Sequence, residues 1–361
     1  MTGRKYMFTP KFTITNKILK DIGRIEASRE IIENAPLVPA YEAKFRQEAV
    51  LRTVHHGTHI EGNQLGTQEV AAVLDGQQIE GRDRDIQEVL NYRDVLKNID
   101  KRRTTKDKRY IFSEKDLLTI HKLTVNKVLP LEKSGKYRAT QVVVKNSKTG
   151  EVSFTPPKPY EVKGLVADFI KWLNGEEAGE VHPVLKAGIT HYVLAFIHPF
   201  VDGNGRASRA FATLVLFASG YDIKKFFSLE EYFDRDAKRY YETLQTVSNQ
   251  KVDNLSQRDL TVWLEYFCEG LSEELKRIRD KVQKLSLDLK LKGRTGQIAL
   301  SERQMKLVEH LEANGSINNK QWRNILRDYS DDTILRDLKG LQKKGLIKKK
   351  GSTKGAIYYL K

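Results

Sequence analysis

Cysteine is almost absent from this chain, which has a single one, Cys268, among its 361 residues. One cysteine cannot form a disulfide within the chain, so the sequence excludes a disulfide-stabilised protein and fits a reducing compartment. Because Cys268 lies inside an apolar helical pattern, we predict that its side chain is a small buried hydrophobe rather than a reactive thiol.

Long hydrophobic runs are also missing. No window of the sequence approaches the roughly 18 uncharged apolar residues of a membrane-spanning helix. The chain starts with MTGRKY, which lacks the apolar stretch of a signal peptide. These absences argue against a membrane-spanning or secreted protein, and they predict a cytoplasmic one.

Acidic residues are too few to balance the basic ones. The chain has 47 Asp and Glu against 63 Lys and Arg, which leaves a formal net charge of +16. Such a surplus favours nucleic acid or other polyanions as partners, although it carries no information about the fold. With 361 residues the chain is long enough for two or more domains and a sizeable core.

What the chain does contain is a polar segment between two apolar runs. Residues 198–209 read HPFVDGNGRASR; the run 192–197 leads into them, and the run 210–217 leads out as a predicted buried helix. The polar segment is therefore predicted to form a loop between two core elements, with its last residues on the first turn of the second element.

Several residues of this segment suit phosphate groups. Gly203 and Gly205 permit the positive φ that other residues adopt only at a cost, and successive N–H groups in such a turn form a nest for anions. The N-terminus of the following helix also favours phosphate oxygens. Arg206 and Arg209 are three residues apart, so their guanidinium groups point to the same side.

Two further residues supply the chemistry that a nucleoside triphosphate needs. Asp202 suits Mg²⁺, which usually takes one or two carboxylates together with phosphate oxygens. His198 has a side chain whose ordinary pKa lets it accept a proton near neutral pH. The ordinary alternative is a Gly-rich helix entry with solvated arginines, but this many matching residues in one window favour a nucleotide site.

Residues 198–209 resemble the signature of the Fic family, His-Pro-Phe-x-Asp/Glu-Gly-Asn-Gly-Arg-x-x-Arg, at every fixed position. The resemblance implies a mainly α structure, in which an all-helical Fic fold carries a β-hairpin flap. It also implies transfer of AMP from ATP to a Ser, Thr or Tyr hydroxyl of a target protein or of the chain itself. His198 would deprotonate the hydroxyl, and Asp202 would hold Mg²⁺.

The same resemblance assigns the nucleotide contacts. Asn204, with the backbone of residues 203–205, would bind the α- and β-phosphates. Arg206 would bind the β-phosphate and Arg209 the γ-phosphate. Doc-like relatives, which transfer the γ-phosphate instead, have Lys where this chain has Gly205, so this glycine favours AMP transfer. The motif does not read the base, so another donor such as UTP stays open.

A second segment, residues 57–63, reads GTHIEGN. Fic proteins often carry an inhibitory helix with the pattern Ser/Thr-x-x-x-Glu-Gly/Asn, and this segment departs from it because Gly57 stands where Ser or Thr is usual. The resemblance implies that Glu61 pairs with Arg209 and blocks the γ-phosphate site. In some relatives the same glutamate helps to remove AMP from the target, so the reverse reaction also stays open.

A β-hairpin is predicted ahead of the motif. Two β-rich runs, 140–144 and 151–155, flank the turn at 146–150. In Fic proteins a hairpin at this place is a flap that aligns the target by strand addition, which implies Val142, Val143 and Val144 as target-binding residues. The alternative is an ordinary solvated hairpin.

Aromatic residues near position 240 have two interpretations. In Fic proteins an aromatic or Asn side chain nearby often contacts the adenine, which implies Tyr240 as the base contact. The alternative is an aromatic stripe in the core.

Four regions are predicted along the chain. Residues 1–110 form an N-terminal helical region with the inhibitory motif, residues 111–270 a Fic catalytic core, residues 271–296 a helical linker, and residues 297–361 a small α/β winged helix-turn-helix domain. Apolar residues at three- and four-residue steps make the linker an amphipathic helix. It could pack on its own domain or on a second copy, and the sequence leaves a homodimer open.

The net charge of the last region favours DNA as a partner, but the position of its acidic residues argues against it. Residues 297–361 contain 14 Lys and Arg against 7 Asp and Glu, which supports phosphate contacts. Asp328, Asp331 and Asp332, however, crowd the start of the predicted recognition helix, where they would repel DNA. The alternative is a protein-interaction module. A second reading of the whole chain is therefore a DNA-binding regulator whose Fic region senses nucleotide.

Overall fold

The computed structural model describes residues 8–37, 39–101, 110–145, 150–291, 300–314, 316–351 and 356–360. These residues are mainly α-helical with two small antiparallel sheets, as predicted. The helices are α1 (Asn16–Glu33), α2 (Pro39–His59), α3 (Thr67–Leu74), α4 (Asp83–Lys101), α5 (Glu114–Thr124), α6 (Pro159–Asn174), α7 (Glu176–Glu180), α8 (Pro183–Ile197), α9 (Asn204–Ala218), α10 (Leu229–Arg235), α11 (Ala237–Ser248), α12 (Thr261–Leu291), α13 (Glu302–Asn314), α14 (Asn319–Ile325) and α15 (Asp331–Lys343). The strands are β1 (Val144–Lys145), β2 (Val152–Phe154), β3 (Ser316–Asn318), β4 (Ile347–Lys350) and β5 (Ile357–Leu360).

The chain divides into two compact units. Unit 1 takes in the described residues of Met1–Pro36 and Glu42–Lys284, and unit 2 those of Leu37–Tyr41 and Leu285–Lys361. The predicted division at residue 110 does not separate compact units, because the N-terminal helices pack into the same unit as the catalytic motif. Within the described residues, no helix combines the length and the apolar character needed to cross a membrane.

The centre of unit 1 is the pair α8 and α9, which pack against each other on either side of residues 198–203. Most of α8 is buried and apolar, so neighbouring helices surround it on every side. Phe200 and Phe211 are fully buried beside it, and the predicted loop between two core elements is confirmed. Cys268 is fully buried as well, and burial raises the pKa of its thiol, as expected for a structural cysteine.

The predicted boundary at residue 270 is wrong. The structure has one continuous helix, α12, across the point where the core was predicted to end and the helical linker to begin. Its apolar stripe continues without interruption through Leu271, Leu275 and Ile278, all of which are buried in unit 1. The linker prediction is therefore corrected as far as Lys284, where the stripe packs on its own unit. The predicted break at 293–296 lies outside the described residues.

The hairpin is present but shorter than predicted. β1 pairs with β2 in antiparallel register, with Val144 opposite Phe154 and an irregularity after it. Val142 and Val143 precede the strand, and before them the side-chain amide of Gln141 donates to the carbonyl of Pro156 at 3.0 Å. Residues 146–149 of the predicted turn lie outside the described residues.

Unit 2 contains α13, α14, α15 and a three-stranded antiparallel sheet in the order β3-β5-β4. This combination of helices and a small sheet agrees with the α/β class predicted for residues 297–361. Their core is a cluster around Trp322, Leu338 and Tyr358, all nearly inaccessible to solvent. Residues 352–355, at the tip of the predicted wing, lie outside the described residues.

Candidate active site

The motif loop, residues 198–203, joins the end of α8 to the start of α9. His198 ends α8 in the left-handed conformation, with φ 51° and ψ 57°, and its N–H still donates to the carbonyl of Leu194 at 3.0 Å. Gly203, which caps α9, also has a positive φ of 74°. The left-handed region costs little at Gly203 but is costly at His198, so surrounding contacts must stabilise the histidine backbone.

Two side chains brace this loop from inside. The Asn204 amide accepts from the Phe200 N–H at 2.8 Å and donates to the Phe200 carbonyl at 2.9 Å. His121 lies flat on Phe200, with ring centroids 3.6 Å apart, and its Nε2–H donates to the Asp202 carbonyl at 3.0 Å. The side chain of Asn204 is thus committed to the loop, which leaves its backbone N–H as the group that could bind phosphate.

His198 has the protonation state of a base. Its Nδ1 lies 3.2 Å from the Ala195 carbonyl. Because a carbonyl only accepts, Nδ1 carries the proton and Nε2 is the unprotonated nitrogen. Burial lowers the pKa of His198, and Arg138 lowers it further, while Glu61 and Asp202 oppose the shift. The imidazole is therefore neutral near pH 7.

Both motif arginines are buried charges. Arg206 is 2% exposed and Arg209 3%. Among the described residues, Nε and Nη1 of each guanidinium make no hydrogen bond of good geometry. Buried N–H groups without an acceptor are costly, and an anion with several oxygens would satisfy them. The two side chains are one helical turn apart on α9, as the spacing predicted.

Three groups from the N-terminal helices face the charges of the motif. Arg209 Nη1 lies 3.0 Å from Glu61 Oε1, in the segment that follows α2. On α4, Glu88 Oε1 lies 3.1 Å from Arg206 Nη1. Also on α4, Arg84 Nη2 lies 2.8 Å from Asp202 Oδ2. Each charged side chain of the motif loop thus has a partner of opposite sign.

Asp202 is held in its ionised form. Burial favours the neutral carboxyl, but Arg206, the Gly203 N–H and Arg84 outweigh it and hold the pKa of Asp202 below its usual value. The Gly203 N–H donates to Asp202 Oδ1 at 2.6 Å, so in this structure the first N–H of the predicted phosphate nest is already taken. Among the described residues, no group of three or more His, Cys, Asp or Glu is arranged to hold a metal ion.

Gly205 differs from the prediction in its conformation. It lies inside α9 with no positive φ, so the prediction that both motif glycines use that conformation is correct for Gly203 alone. Gly205 is needed for another reason. A Cβ there would stand 1.9 Å from Glu61 Oε1, so only glycine leaves space for the carboxylate over the first turn of α9.

The segment around Glu61 is anchored at several points. Nη2 of Arg209 donates to the carbonyl of Gly57 at 2.9 Å, and the Tyr241 hydroxyl donates to the carbonyl of Ile60 at 3.1 Å. Asp234 on α10 also accepts from Nδ1 of two histidines of α2, at 2.7 Å and 2.8 Å. These contacts hold the carboxylate of Glu61 in place, although the usual Ser or Thr of the motif is missing.

Tyr240 lies in the position that its core interpretation predicted. It is 2% exposed, its hydroxyl lies 3.1 Å from Nε2 of His191, and it stacks on Phe233 with centroids 5.0 Å apart. A ring so enclosed presents no surface to an adenine in this conformation, so the assignment of Tyr240 to the base is corrected. The neighbouring Tyr241 is the more accessible ring.

Several residues of the site escaped the sequence analysis. They come from elements distant in sequence, so no local spacing marks them, although residues 135–138 read GKYR ahead of the hairpin. They are Arg84, Glu88, His121, Arg138 and Tyr241.

Residues 111–216 match the model of the Fic/DOC family. Over these residues the chain is similar to a Fic domain. The matched region includes the motif loop and both motif arginines, while Glu61 and α4 lie before it.

Relatives of the Fic domain are named for an enzymatic activity. The protein adenylyltransferase Fic of Culex quinquefasciatus is 32% identical over 204 residues, which make up 56% of this chain and 39% of that protein. The protein adenylyltransferase fic-1 of Caenorhabditis briggsae is 34% identical over 180 residues, 49% of this chain and 34% of that protein. The matched region thus spans less than half the length of either relative.

Solved structures share the fold. A Fic family protein from Desulfovibrio desulfuricans aligns over 98% of both chains with a TM-score of 0.67 at 24% identity. A Fic domain containing signalling protein from Bacteroides thetaiotaomicron aligns over 76% of this chain and 97% of its own, with a TM-score of 0.60 at 22% identity. At these identities the likeness extends to the fold alone.

Proposed function

We propose that this chain is a protein adenylyltransferase, which moves AMP from ATP to a Ser, Thr or Tyr hydroxyl of a target protein or of itself. One observation carries the proposal: a neutral His198 stands at the entry of α9, whose first turns bury two arginines with unsatisfied N–H groups. The naming of the Fic relatives as protein adenylyltransferases supports it.

The chemistry follows from the position of the imidazole. The hydroxyl oxygen of the target forms a bond to the α-phosphorus of ATP, the bond from that phosphorus to pyrophosphate breaks, and the hydroxyl proton passes to Nε2 of His198. Arg206 and Arg209 hold the leaving pyrophosphate through their β- and γ-phosphate contacts. Phe200 anchors the loop in the core and takes no chemical part.

Asp202 fits a Mg²⁺ ion bound together with the nucleotide. It is a single ionised carboxylate beside the loop, and Mg²⁺ in nucleotide sites commonly takes one or two protein carboxylates with phosphate oxygens completing the shell. Bound there, the ion supplies positive charge to the phosphates. Arg84 must give up its contact with the carboxylate for the ion to bind.

We infer that Glu61 inhibits the transfer reaction. Its carboxylate occupies Nη1 of Arg209 at 3.0 Å and lies over Gly205, in the space where the γ-phosphate is proposed to bind. A carboxylate and a phosphate compete for the same guanidinium. A charge-assisted hydrogen bond contributes about 1.5–3 kcal/mol, so removing the carboxylate should favour ATP by about ten- to a hundredfold.

The test is self-labelling with α-³²P-ATP and Mg²⁺. We expect weak label in the wild-type chain, strong label in Glu61→Gly, and none in Glu61→Gly/His198→Ala, since loss of a general base costs about 10²- to 10⁴-fold. Equal labelling by wild type and Glu61→Gly would overturn the inhibitory role. γ-Labelled ATP must stay silent if AMP is the group transferred.

The same labelled products address the alternatives. Release of AMP from the labelled chain by the wild type, but not by Glu61→Gly, would establish the reverse reaction. Substitution of α-³²P-UTP for ATP tests another donor. Absence of label with either nucleotide would favour the second reading, a regulator that senses nucleotide.

Unit 2 has one feature that favours nucleic acid as a partner. We infer a winged helix there, because its helices and strands occur in that order and Lys348, Lys349 and Lys350 are all exposed on β4. Asp331, one of the acidic residues expected to repel DNA, pairs with Arg323 at 2.5 Å, which reduces that repulsion. The alternative partner is a protein.

A salt titration distinguishes these partners. We expect a labelled DNA duplex to bind the full chain more weakly as salt rises, and the change of all three β4 lysines to Gln to lower the salt slope by up to about three units. If DNA binding depends neither on the salt concentration nor on the three lysines, a surface that binds phosphate groups is excluded. The protein-interaction module then remains as the interpretation of unit 2.

A further inference from the structure

One buried arginine outside the signature lies against the motif loop. Arg138 is 3% exposed, and its Nε donates to the carbonyl of His198 at 2.8 Å. Its backbone N–H donates to the next carbonyl, that of Pro199, at 2.9 Å. Arg138 therefore holds two successive carbonyls at the point where α8 ends and the base is presented.

The contact falls on the strained residue of the loop. His198 is a non-glycine residue with a φ of 51°, a conformation that persists only where its surroundings over-determine it. A guanidinium on its carbonyl, together with the N–H bond to Leu194, fixes both sides of the histidine peptide unit. The direction of the imidazole follows from that backbone.

The same guanidinium also holds both ends of the hairpin. Nη1 donates to the carbonyl of Thr140 at 3.3 Å, just before β1, and Nη2 donates to the carbonyl of Pro157, just after β2. One planar guanidinium group thus contacts both the backbone of the catalytic histidine and the backbone at the two ends of the hairpin. A lysine ammonium, which lacks this planar fork, cannot match all three directions at once.

We propose that Arg138 is a positioning residue that fixes the hairpin relative to His198, so that a target strand added to the hairpin meets the imidazole in register. The inference rests on the proposed transferase function. It predicts that Arg138 acts on the transfer step and not on nucleotide affinity, because its five hydrogen bonds all go to backbone carbonyls of α8, the motif loop and the hairpin region.

The positive charge of Arg138 should also affect the pKa of His198. The charged groups that act on His198 are Arg138, which lowers its pKa, and Glu61 and Asp202, which raise it. Replacing Arg138 by a neutral residue removes the only lowering charge of that set. The imidazole pKa should therefore rise, and the acid limb of the transfer reaction should move to higher pH.

The experiment compares Arg138→Lys and Arg138→Gln in the full-length Glu61→Gly chain. The matched control is Arg258→Lys, since Arg258 also donates to three backbone carbonyls, those of Val247, Ser248 and Gln250, but not to the motif loop. Self-labelling rates are measured against the concentration of α-³²P-ATP. The titration of His198 is followed by NMR without nucleotide, and thermal midpoints show that each variant is folded.

We expect Arg138→Lys to lower the maximal labelling rate by about tenfold to a hundredfold, as for a misplaced reacting group, with the half-saturating ATP concentration unchanged. Arg138→Gln should in addition raise the pKa of His198, and Arg258→Lys should alter neither quantity. Labelling by Arg138→Lys at the parent rate would overturn the proposal. So would an equal loss in Arg258→Lys, or a loss explained by weaker ATP saturation.

The experiment distinguishes a failure of the proposed transferase function from a failure of the proposed role of Arg138. If the Glu61→Gly parent takes no label, the proposed function fails, whereas the NMR titration still decides on Arg138. An unchanged pKa of His198 in Arg138→Gln then overturns the positioning role as well.

Discussion

The two arginines at the start of α9 are each paired with a carboxylate, one from the segment that follows α2 and one from α4. Glu61 faces Arg209, and Glu88 faces Arg206. Both arginines and Glu88 are buried, whereas Glu61 is partly exposed. Burial strengthens the attraction between opposite charges but also raises the cost of desolvating them. In the proposed function, a triphosphate would have to displace these carboxylates from the two guanidinium groups before it could bind.

Gly57 shows why the inhibitory motif departs from the family pattern. A Cβ at this position would stand 2.4 Å from Cε1 of Tyr92, whose hydroxyl donates to the buried Glu230 at 2.9 Å. The Ser or Thr of the usual pattern does not fit here. The carbonyl of Gly57 instead receives Arg209, so the backbone supplies an anchor to the same arginine that Glu61 contacts.

We predict that Gly57→Ala weakens the inhibitory contact. The added methyl group forces Tyr92 or α2 to move, at a cost of about 1–3 kcal/mol in the free energy of unfolding. Because the same shift displaces the segment of Glu61, self-labelling should rise above that of the wild type. Thermal unfolding and the labelling assay measure the two effects.

The control for Gly57 is Gly23, an exposed glycine of α1 with nothing within 4 Å of an added Cβ. Gly23→Ala should stabilise the chain by about 0.5–1 kcal/mol, since glycine is unfavourable within a helix. Its labelling should equal that of the wild type. A rise in label for both variants would show that Gly57 has no special role.

The pKa of His198 sets the pH dependence of transfer. The imidazole must be neutral to accept a proton, and its pKa lies below the usual value of 6.5. Activity of Glu61→Gly should thus be constant above pH 6.5 and fall as the pH drops through the lowered pKa. A pH–rate profile checks this, and an acid midpoint above pH 6.5 would contradict it.

Helix α4 contributes two charged side chains to the site. Its first turns carry Arg84 and Glu88, which face Asp202 of the motif loop and Arg206 of α9. Helical spacing accounts for this, because residues four apart lie on the same face. The sequence showed α4 as a helix, but which face meets the motif depends on packing between elements far apart in the chain.

We predict that Arg84→Gln strengthens the binding of divalent cations. Arg84 and a hydrated ion compete for Asp202, and a partly exposed ion pair contributes about 0.2–1 kcal/mol. The half-saturating Mg²⁺ concentration for labelling by Glu61→Gly should fall by up to about fivefold. Mn²⁺ binding, measured by electron paramagnetic resonance with a non-hydrolysable ATP analogue, gives a readout without transfer.

The control for Arg84 lies on the same helix. Arg93 pairs with its neighbour Asp94 at 3.0 Å and belongs to no contact of the motif described above. Arg93→Gln should leave Mn²⁺ binding and the Mg²⁺ requirement unchanged. If Arg84→Gln behaves like Arg93→Gln, the contact with Asp202 is too weak to affect the ion.

The residues of the proposed transfer reaction lie in one of the two compact units. All of them belong to unit 1, whereas unit 2 has its own buried cluster around Trp322. Two separate cores suggest that damage to one need not reach the chemistry of the other.

We predict that Trp322→Ala destabilises unit 2 but leaves transfer intact. Removing a fully buried indole costs about 3–5 kcal/mol of the free energy of unfolding. In the Glu61→Gly background, self-labelling should persist at the temperature where unit 2 has already unfolded by circular dichroism. The matched change in unit 1, Phe211→Ala, should abolish label, and loss of label in both would show that the units depend on each other.

The sequence by itself determined the helical class, the loop between two buried elements and the composition of the motif. These features are local or are carried by a contiguous signature, so spacing and residue chemistry are enough to recognise them. The pairing of Glu61 with Arg209 was implied by the resemblance to the Fic family. Only the tertiary structure decided that Tyr240 is enclosed in the core, that α12 continues through residue 270, and that Arg138 holds the carbonyl of His198. Such contacts depend on how distant elements pack, and no local pattern in the chain records which faces will meet.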